Sequence, residues 1–187
     1  MKTNENFSEG SLINRDDCAL VIVDIQEKLI PAIEESEPMI ENVVRLIQFS
    51  KIVSLPVVTT EQIKLGDTIN SIKEEIQNPR PITKSSFNCF CSEDFMERVE
   101  ELDRSTLILV GIEAHICVAQ TALGSPSGYR IQVVRDAVSS RDIEDRKVAL
   151  NRIDRSGGTI TTTEMLIYEL LERANTEEFK RVLPLVK

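Results

Sequence analysis

CALVIVD, Cys18 to Asp24, is an unbroken apolar run closed by a carboxylate. A run with no polar alternation is how a strand reads when both of its faces are covered, the situation of a parallel sheet. Working outward, STLILVG (105–111) is a second such run, and YRIQVVRD (129–136) reads as another strand. LPVVTT (55–60) is a short strand that tolerates Pro56 at its start, RPITKSS (80–86) is a weak edge strand, and TITTTE (159–164) is β-branched almost throughout. The segments between them have helical spacing. SEPMIENVVRLIQFSKIV (36–53) places Met39, Val43 and Ile47 on one face, with Ser36 as the expected N-cap. SEDFMERVEEL (92–102) turns Phe95, Val99 and Leu102 inward behind a Ser92 cap, and DIEDRKVALNRIDRSGG (142–158) is stopped by its glycine pair. Two more helical stretches, EMLIYELLERA and TEEFKRVLPLV, close the chain. Strands alternating with helices give an α/β fold of three layers, Rossmann-like, with helices on both faces of a parallel sheet.

The bulk numbers agree with one domain. The chain has 187 residues, of which 41% are hydrophobic, 28% charged and only 4% aromatic, so its core is expected to be Ile, Leu and Val. Residues 1–17 read as a polar N-terminal extension and 18–187 as a single domain. With 22 Lys plus Arg against 31 Asp plus Glu, the net charge is −9, which repels a phosphate backbone and leaves no expectation of a nucleic-acid partner. No stretch reads as a secretory signal or a membrane span, so a cytoplasmic protein is expected. The four cysteines, Cys18, Cys89, Cys91 and Cys117, are too few and too irregular for a disulfide framework. A single histidine, His115, rules out a metal site built from two imidazoles, and no glycine-rich phosphate loop is present.

Ligands of an open parallel sheet sit beyond the carboxyl ends of its strands, near the switch in strand order. Three polar residues fall there: Asp24 ends the first strand, Lys84 follows the third, and Cys117 follows the fourth at a helix start. A thiol at a helix N-terminus beside a lysine has two reasons to ionise, and a nearby carboxylate can take its proton. By residue type alone, Cys117 reads equally as a small buried hydrophobe. His115 is a rival base, but two residues on a helix lie about 200° apart and do not face each other. NCFC (88–91) reads as a pair of semi-buried thiols rather than a ligand set.

Taken together, ALVIVDIQEKL (19–29), TKSSF (83–87) and LVGIEAHICVAQTAL (109–123) resemble the three motifs of the isochorismatase-like cysteine hydrolases. VVRDAVSSR (133–141) and DRSGGTITTTEMLIYELL (154–171) extend the resemblance, and TTEQIKLG (59–66) is similar to the branch called isochorismatase domain-containing proteins. The resemblance implies a six-stranded parallel sheet ordered 3-2-1-4-5-6. It implies an Asp24–Lys84–Cys117 triad and a cis peptide at Ile112–Glu113. It further implies an oxyanion hole formed by the Glu113 and Cys117 amides, with Gln26 and Phe87 lining a substrate pocket. The nicotinamidase branch carries a metal-binding Asp and His after its second strand; TTEQIKLG has no histidine, so no metal and no other cofactor is expected. True isochorismatases replace the cysteine with glycine, so the family name is not read as the substrate. LGSPSGYR (123–130) departs from the family pattern, and Pro126 is expected to shorten the helix before it. The implied partners are a small-molecule substrate and further copies of the chain, as a homodimer or higher homo-oligomer. The competing classes are a catalytically silent flavodoxin-like module that binds proteins, and a thiol redox protein, which the lack of C-x-x-C disfavours.

Overall fold

The computed structural model describes residues 12–76 and 78–187. A six-stranded sheet runs through the molecule in the order β3-β2-β1-β4-β5-β6, and every ladder is parallel. The strands are β1 Cys18–Val23, β2 Val57–Gln62, β3 Ile82–Lys84, β4 Thr106–Ile112, β5 Arg130–Ser139 and β6 Thr159–Thr161. The helices are α1 Ser36–Val53, α2 Asn70–Lys73, α3 Glu93–Glu101, α4 Ala119–Leu123, α5 Ile143–Arg155, α6 Thr163–Leu171 and α7 Glu177–Val186.

Side chains alternate across a strand, and β1 divides its residues accordingly. Leu20 and Ile22 enter a core with α1, α6 and α7. Ala19, Val21 and Val23 enter a second core with α3, α4 and α5. The absence of polar alternation in CALVIVD is thus the mark of a strand sandwiched between two helical layers. β1 pairs with β2 on one side and β4 on the other, so the order reverses at its carboxyl end, the position where open sheets of this kind bind ligands.

Local differences from the sequence reading have local causes. Ser36 is not the N-cap of α1; Glu35 holds that position with φ of 51° and no side-chain cap bond. Its carboxylate is instead turned to Arg146, at 2.8 Å. β5 does not stop at Asp136 but continues to Ser139. A bulge opposite Leu109 and Gly111 absorbs the extra residues. Helix α2 has no periodic signal long enough to be read. Residues 1–11 of the expected extension lie outside the described residues. Those just before β1 are tied to the fold: Ile13 is buried, its amide donates to Glu169 at 2.8 Å, and Arg15 pairs with Glu178 at 2.7 Å. In LGSPSGYR, α4 ends at Leu123 with Gly124 as its cap. A Cβ on Gly124 would stand 2.4 Å from Asn88 Nδ2, and Asn88 caps the turn at Cys89–Cys91. The glycine that ends α4 therefore makes room for the NCFC turn.

Candidate active site

Three strand ends build the site. Asp24 follows β1 with φ of 51°, a left-handed conformation that Asp tolerates better than most residues. Its side chain is fully buried. Oδ1 accepts from Thr60 Oγ1 at 2.8 Å, and Oδ2 accepts from Lys84 Nζ at 2.6 Å. Lys84, the last residue of β3, is as deeply buried and donates also to Gln62 Oε1 at 2.8 Å and the Ser86 carbonyl at 3.2 Å. The Cys117 sulfur lies 3.7 Å from the same ammonium. Asp24, Lys84 and Cys117, widely separated in sequence, thus meet at the switch point in strand order.

The turn that carries Cys117 is unusual. The Ile112–Glu113 peptide is cis, and Ala114–Val118 forms a single π-helical turn before α4, a feature often found at functional sites. The Glu113 carbonyl accepts from the Ile116 and Val118 amides at 3.1 and 3.2 Å. The Glu113 carboxylate accepts from the Arg141 amide and its Nε, each at 3.0 Å. Gly111, just before the turn, has φ of +109°, and a Cβ there would fall 2.1 Å from the Val23 carbonyl oxygen. Only glycine lets β4 approach β1 that closely.

The VVRDAVSSR stretch braces this turn. Arg141 grips Glu113. Ser140 Oγ lies 2.9 Å from His115 Nδ1. The Ser139 hydroxyl donates to the Glu34 carbonyl at 2.6 Å. Asp136 Oδ1 accepts from the amide and hydroxyl of Thr163 at 2.8 and 3.0 Å, holding the start of α6. His115 faces Ser140 and Asp145, the latter 3.7 Å from Nε2, so its ring is engaged with the α5 side.

Charge at the site departs from the sequence expectation. Burial, and then the Asp24 carboxylate, push the Cys117 thiol well above the usual cysteine range; Lys84 pulls the other way without winning. That direction favours the thiol over the thiolate that a helix terminus and a lysine suggested. Burial also works against the Lys84 charge, but the negative groups around it, Asp24 foremost, outweigh this and raise its pKa. Cys89, fully buried, is pushed up by burial as well, whereas Cys91 on the same turn is exposed; all four cysteines are free. Gln26 is buried, and its carboxamide is spent on the backbone of Gln62 and Gly66. Phe87 stands half-exposed, 51%, beside Ser86. Thr60, Gln62 and Arg141 were not singled out in the sequence. For the first two a signal existed: polar residues two apart at the carboxyl end of β2 share a face beside Asp24. Among the described residues no three His, Cys, Asp or Glu converge as metal ligands, and no helix is long and apolar enough to cross a membrane.

Comparison with known proteins places this architecture. A family profile described as the isochorismatase domain matches residues 18–165. Isochorismatase domain-containing protein 2 of Danio rerio is 35% identical over 167 residues, which span 87% of this chain and 83% of the fish protein. A structure described as MAR1 ribonuclease from Caenorhabditis elegans matches with a TM-score of 0.88 and 34% identity, over 94% of this chain and 92% of that one. The Escherichia coli YcaC gene product, described as an octameric hydrolase of unknown specificity, shares the fold with a TM-score of 0.85 at 24% identity, over 92% and 91% of the two chains.

Proposed function

This chain belongs to the isochorismatase domain family, and from that premise we propose that it is a cysteine hydrolase cleaving a small amide, ester or imide through an acyl-enzyme on Cys117. The observation that carries the proposal is the buried convergence of Asp24, Lys84 and Cys117, with one ammonium 2.6 Å from the carboxylate and 3.7 Å from the sulfur. A buried ion pair is expensive to maintain, and replacing it with apolar groups is often stabilising. Its presence beside a thiol is accounted for by chemistry.

The resting thiol assigns the roles. Since Cys117 keeps its proton, Asp24 takes that proton as the sulfur attacks the substrate carbonyl carbon. A tetrahedral adduct forms, and its oxygen accepts hydrogen bonds from the Glu113 and Cys117 amides, the oxyanion hole. The adduct collapses, the C–N or C–O bond breaks, and the amine or alcohol leaves with the proton from Asp24. Water then gives a proton to Asp24 and attacks the thioester. The acid is released, and the proton returns to Cys117. Lys84 stays charged throughout, fixing the carboxylate and balancing the negative charge as it moves between oxygen and sulfur. Phe87, three residues past Lys84 and half-exposed, lines the substrate entrance in this reading. No step uses a metal or other cofactor.

The test is the intact mass of the protein after brief incubation with a panel of small amides and esters. The expected result is a mass increase equal to one acyl group, mapped to Cys117 and absent from Cys117→Ala. A panel that yields product with no adduct, and turnover unaffected in Cys117→Ala, overturns the covalent route. A labelled RNA belongs in the same panel because the worm relative is described as a ribonuclease. The net charge of −9 predicts no cleavage.

We also propose that the protein works as a homo-oligomer, as the octameric YcaC product does. Large apolar side chains stand exposed on α5 (Val148, 64%) and α6 (Met165, 61%) and are available to such a contact. Light scattering at micromolar protein is expected to give a multiple of 21.1 kDa; the monomer mass would refute it.

A further inference from the structure

Lys84 makes two hydrogen bonds that the proposed reaction does not use, to the Gln62 carboxamide and the Ser86 carbonyl. Its ammonium carries three protons. They are shared by Asp24, by Gln62 Oε1 at 2.8 Å, by the Ser86 carbonyl at 3.2 Å and, more distantly, by the Cys117 sulfur. The Gln62 carboxamide is itself fixed, because its Nε2 donates to the Ser85 carbonyl at 2.8 Å. The orientation of that amide follows from its partners: an ammonium can only donate and a carbonyl can only accept, so oxygen must face Lys84 and nitrogen Ser85.

Gln62 is in turn held by Gln26. Gln26 Oε1 accepts from the Gln62 amide at 2.8 Å, and Gln26 Nε2 donates to the Gln62 carbonyl at 3.0 Å and the Gly66 carbonyl at 2.6 Å. One side chain thereby satisfies both backbone polar groups of Gln62, as a neighbouring strand would. The chain of contacts runs from the residue two past Asp24, through the end of β2, back to the ammonium that Asp24 also binds. Gln62 itself is only partly buried, but polar groups whose partners are satisfied are held in place, and such networks favour a single geometry.

We propose that Gln62 is a positioning residue for the hydrolase reaction: its carboxamide, anchored by the Ser85 carbonyl on a backbone that Gln26 clamps, holds the Lys84 ammonium between Asp24 and Cys117 without adding a competing charge. A neutral acceptor is what the site needs there. A carboxylate at position 62 would divide the ammonium between two anions and set a second negative charge near the sulfur. An apolar side chain would remove the shortest neutral contact of Nζ and let the ammonium settle toward the Ser86 carbonyl. The inference rests on the hydrolase reading for the importance of Lys84, but its test does not need a substrate.

The charged and titratable groups acting on Cys117 are Asp24, Lys84 and Cys89. Glu61, next to Gln62 on β2, faces away and accepts from the Thr68 amide and hydroxyl at 2.7 Å. The experiment follows alkylation of Cys117 by iodoacetamide against pH, read by peptide mapping, in the parent, Gln62→Glu, Gln62→Met and Lys84→Met proteins. Circular dichroism checks the fold of each. The rising limb of the profile reports the proton shared by the Asp24–Cys117 pair. The expected result is that Gln62→Glu moves this limb up by about one pH unit, the effect of one more nearby negative charge. Gln62→Met is expected to lower the rate at about pH 8 several-fold with the fold retained. A Gln62→Glu profile superimposed on the parent's, while Lys84→Met moves it, overturns the proposal. Should Gln62→Glu not fold, an unchanged rate of Gln62→Met at about pH 8 overturns it equally. If no amide or ester gives an acyl adduct, the hydrolase reading fails, and these alkylation profiles are unaffected.

Discussion

At the scale of single residues, burial decides which of the three converging groups carries charge at rest, and for Cys117 it acts against the charge that Lys84 favours. Cys117 sits beside an ammonium and a helix start, yet the cost of desolvating its thiolate and the Asp24 carboxylate keep the proton on sulfur. The expected mutational pattern follows. Cys117→Ala removes the nucleophile and no charge, so turnover of any identified substrate falls to background while the melting temperature shifts by no more than a few degrees. Asp24→Asn also abolishes turnover, but it leaves the buried Lys84 ammonium without its counter-charge. Breaking one side of a buried pair costs about 3 kcal/mol or more, which for a domain of this size is roughly 6–12 °C in melting temperature. Calorimetry on the two variants checks the contrast. Equal melting temperatures would show that Lys84 finds another anion or loses its charge when Asp24 is neutral. Asp24 and Cys117 were legible as candidates because they follow apolar runs. Gln26, implied to line a pocket, is occupied with backbone contacts, and only three-dimensional pairing reveals that use.

At the scale of elements, β4 and the turn after it carry the catalytic geometry. Gly111 is the position where sequence and packing meet. Its φ of +109° disfavours any L side chain, and a Cβ would lie 2.1 Å from the Val23 carbonyl oxygen on the neighbouring strand. Gly111→Ala therefore forces β1 and β4 apart at the point where Asp24 and Glu113 are positioned. A loss of about 4 kcal/mol or more in unfolding free energy is expected, among the larger effects of single substitutions, measured by urea titration. Gly157, at the end of α5, has φ of +91°, and a Cβ added there would meet nothing within 4 Å. Gly157→Ala should then cost only the conformational strain, about 1–2 kcal/mol. Similar losses at both sites would mean that the β1–β4 contact is not the constraint. Strand and helix identities were legible because runs such as CALVIVD and STLILVG lack polar alternation, and α1 spans the stretch that its periodicity marked. The end of β5 was not, since Arg135 and Asp136 look like a strand terminus. The bulge that carries the strand through them is a tertiary feature of β4–β5 pairing. The π-helical turn at Cys117 was equally unreadable, because its residues carry no local signal that separates it from an ordinary helix start.

At the scale of the whole molecule, the strand order was legible through family resemblance rather than composition. Alternating strands and helices specify a parallel sheet but leave its order open. The two-sided burial that made the strands readable has a thermodynamic consequence. Cys18 begins β1 fully buried, and burial, then Asp17 and Glu169, raise its thiol from 9.0 to about 12. In the unfolded chain that thiol ionises near its ordinary value. Between pH about 9 and about 12 the unfolded chain therefore holds fewer protons than the folded one, and stability falls as pH rises, by about 1.4 kcal/mol per unit for a single such group. Below pH about 9 both states keep the proton, and the full stability is present. Cys89 and Cys117 are raised in the same direction, so they add to the decline. Cys18→Ala removes one of these contributions. It also loses the contact of Sγ with the Asn14 carbonyl at 3.1 Å, which lowers stability equally at every pH below the transition. The informative quantity is thus the difference between urea midpoints, converted to free energy, at about pH 8 and about pH 10.5. The parent is expected to lose about 2 kcal/mol more than Cys18→Ala over that interval. Parallel losses in the two proteins would show that the β1 thiol ionises as readily in the folded molecule as in the unfolded chain, and that the start of β1 admits solvent.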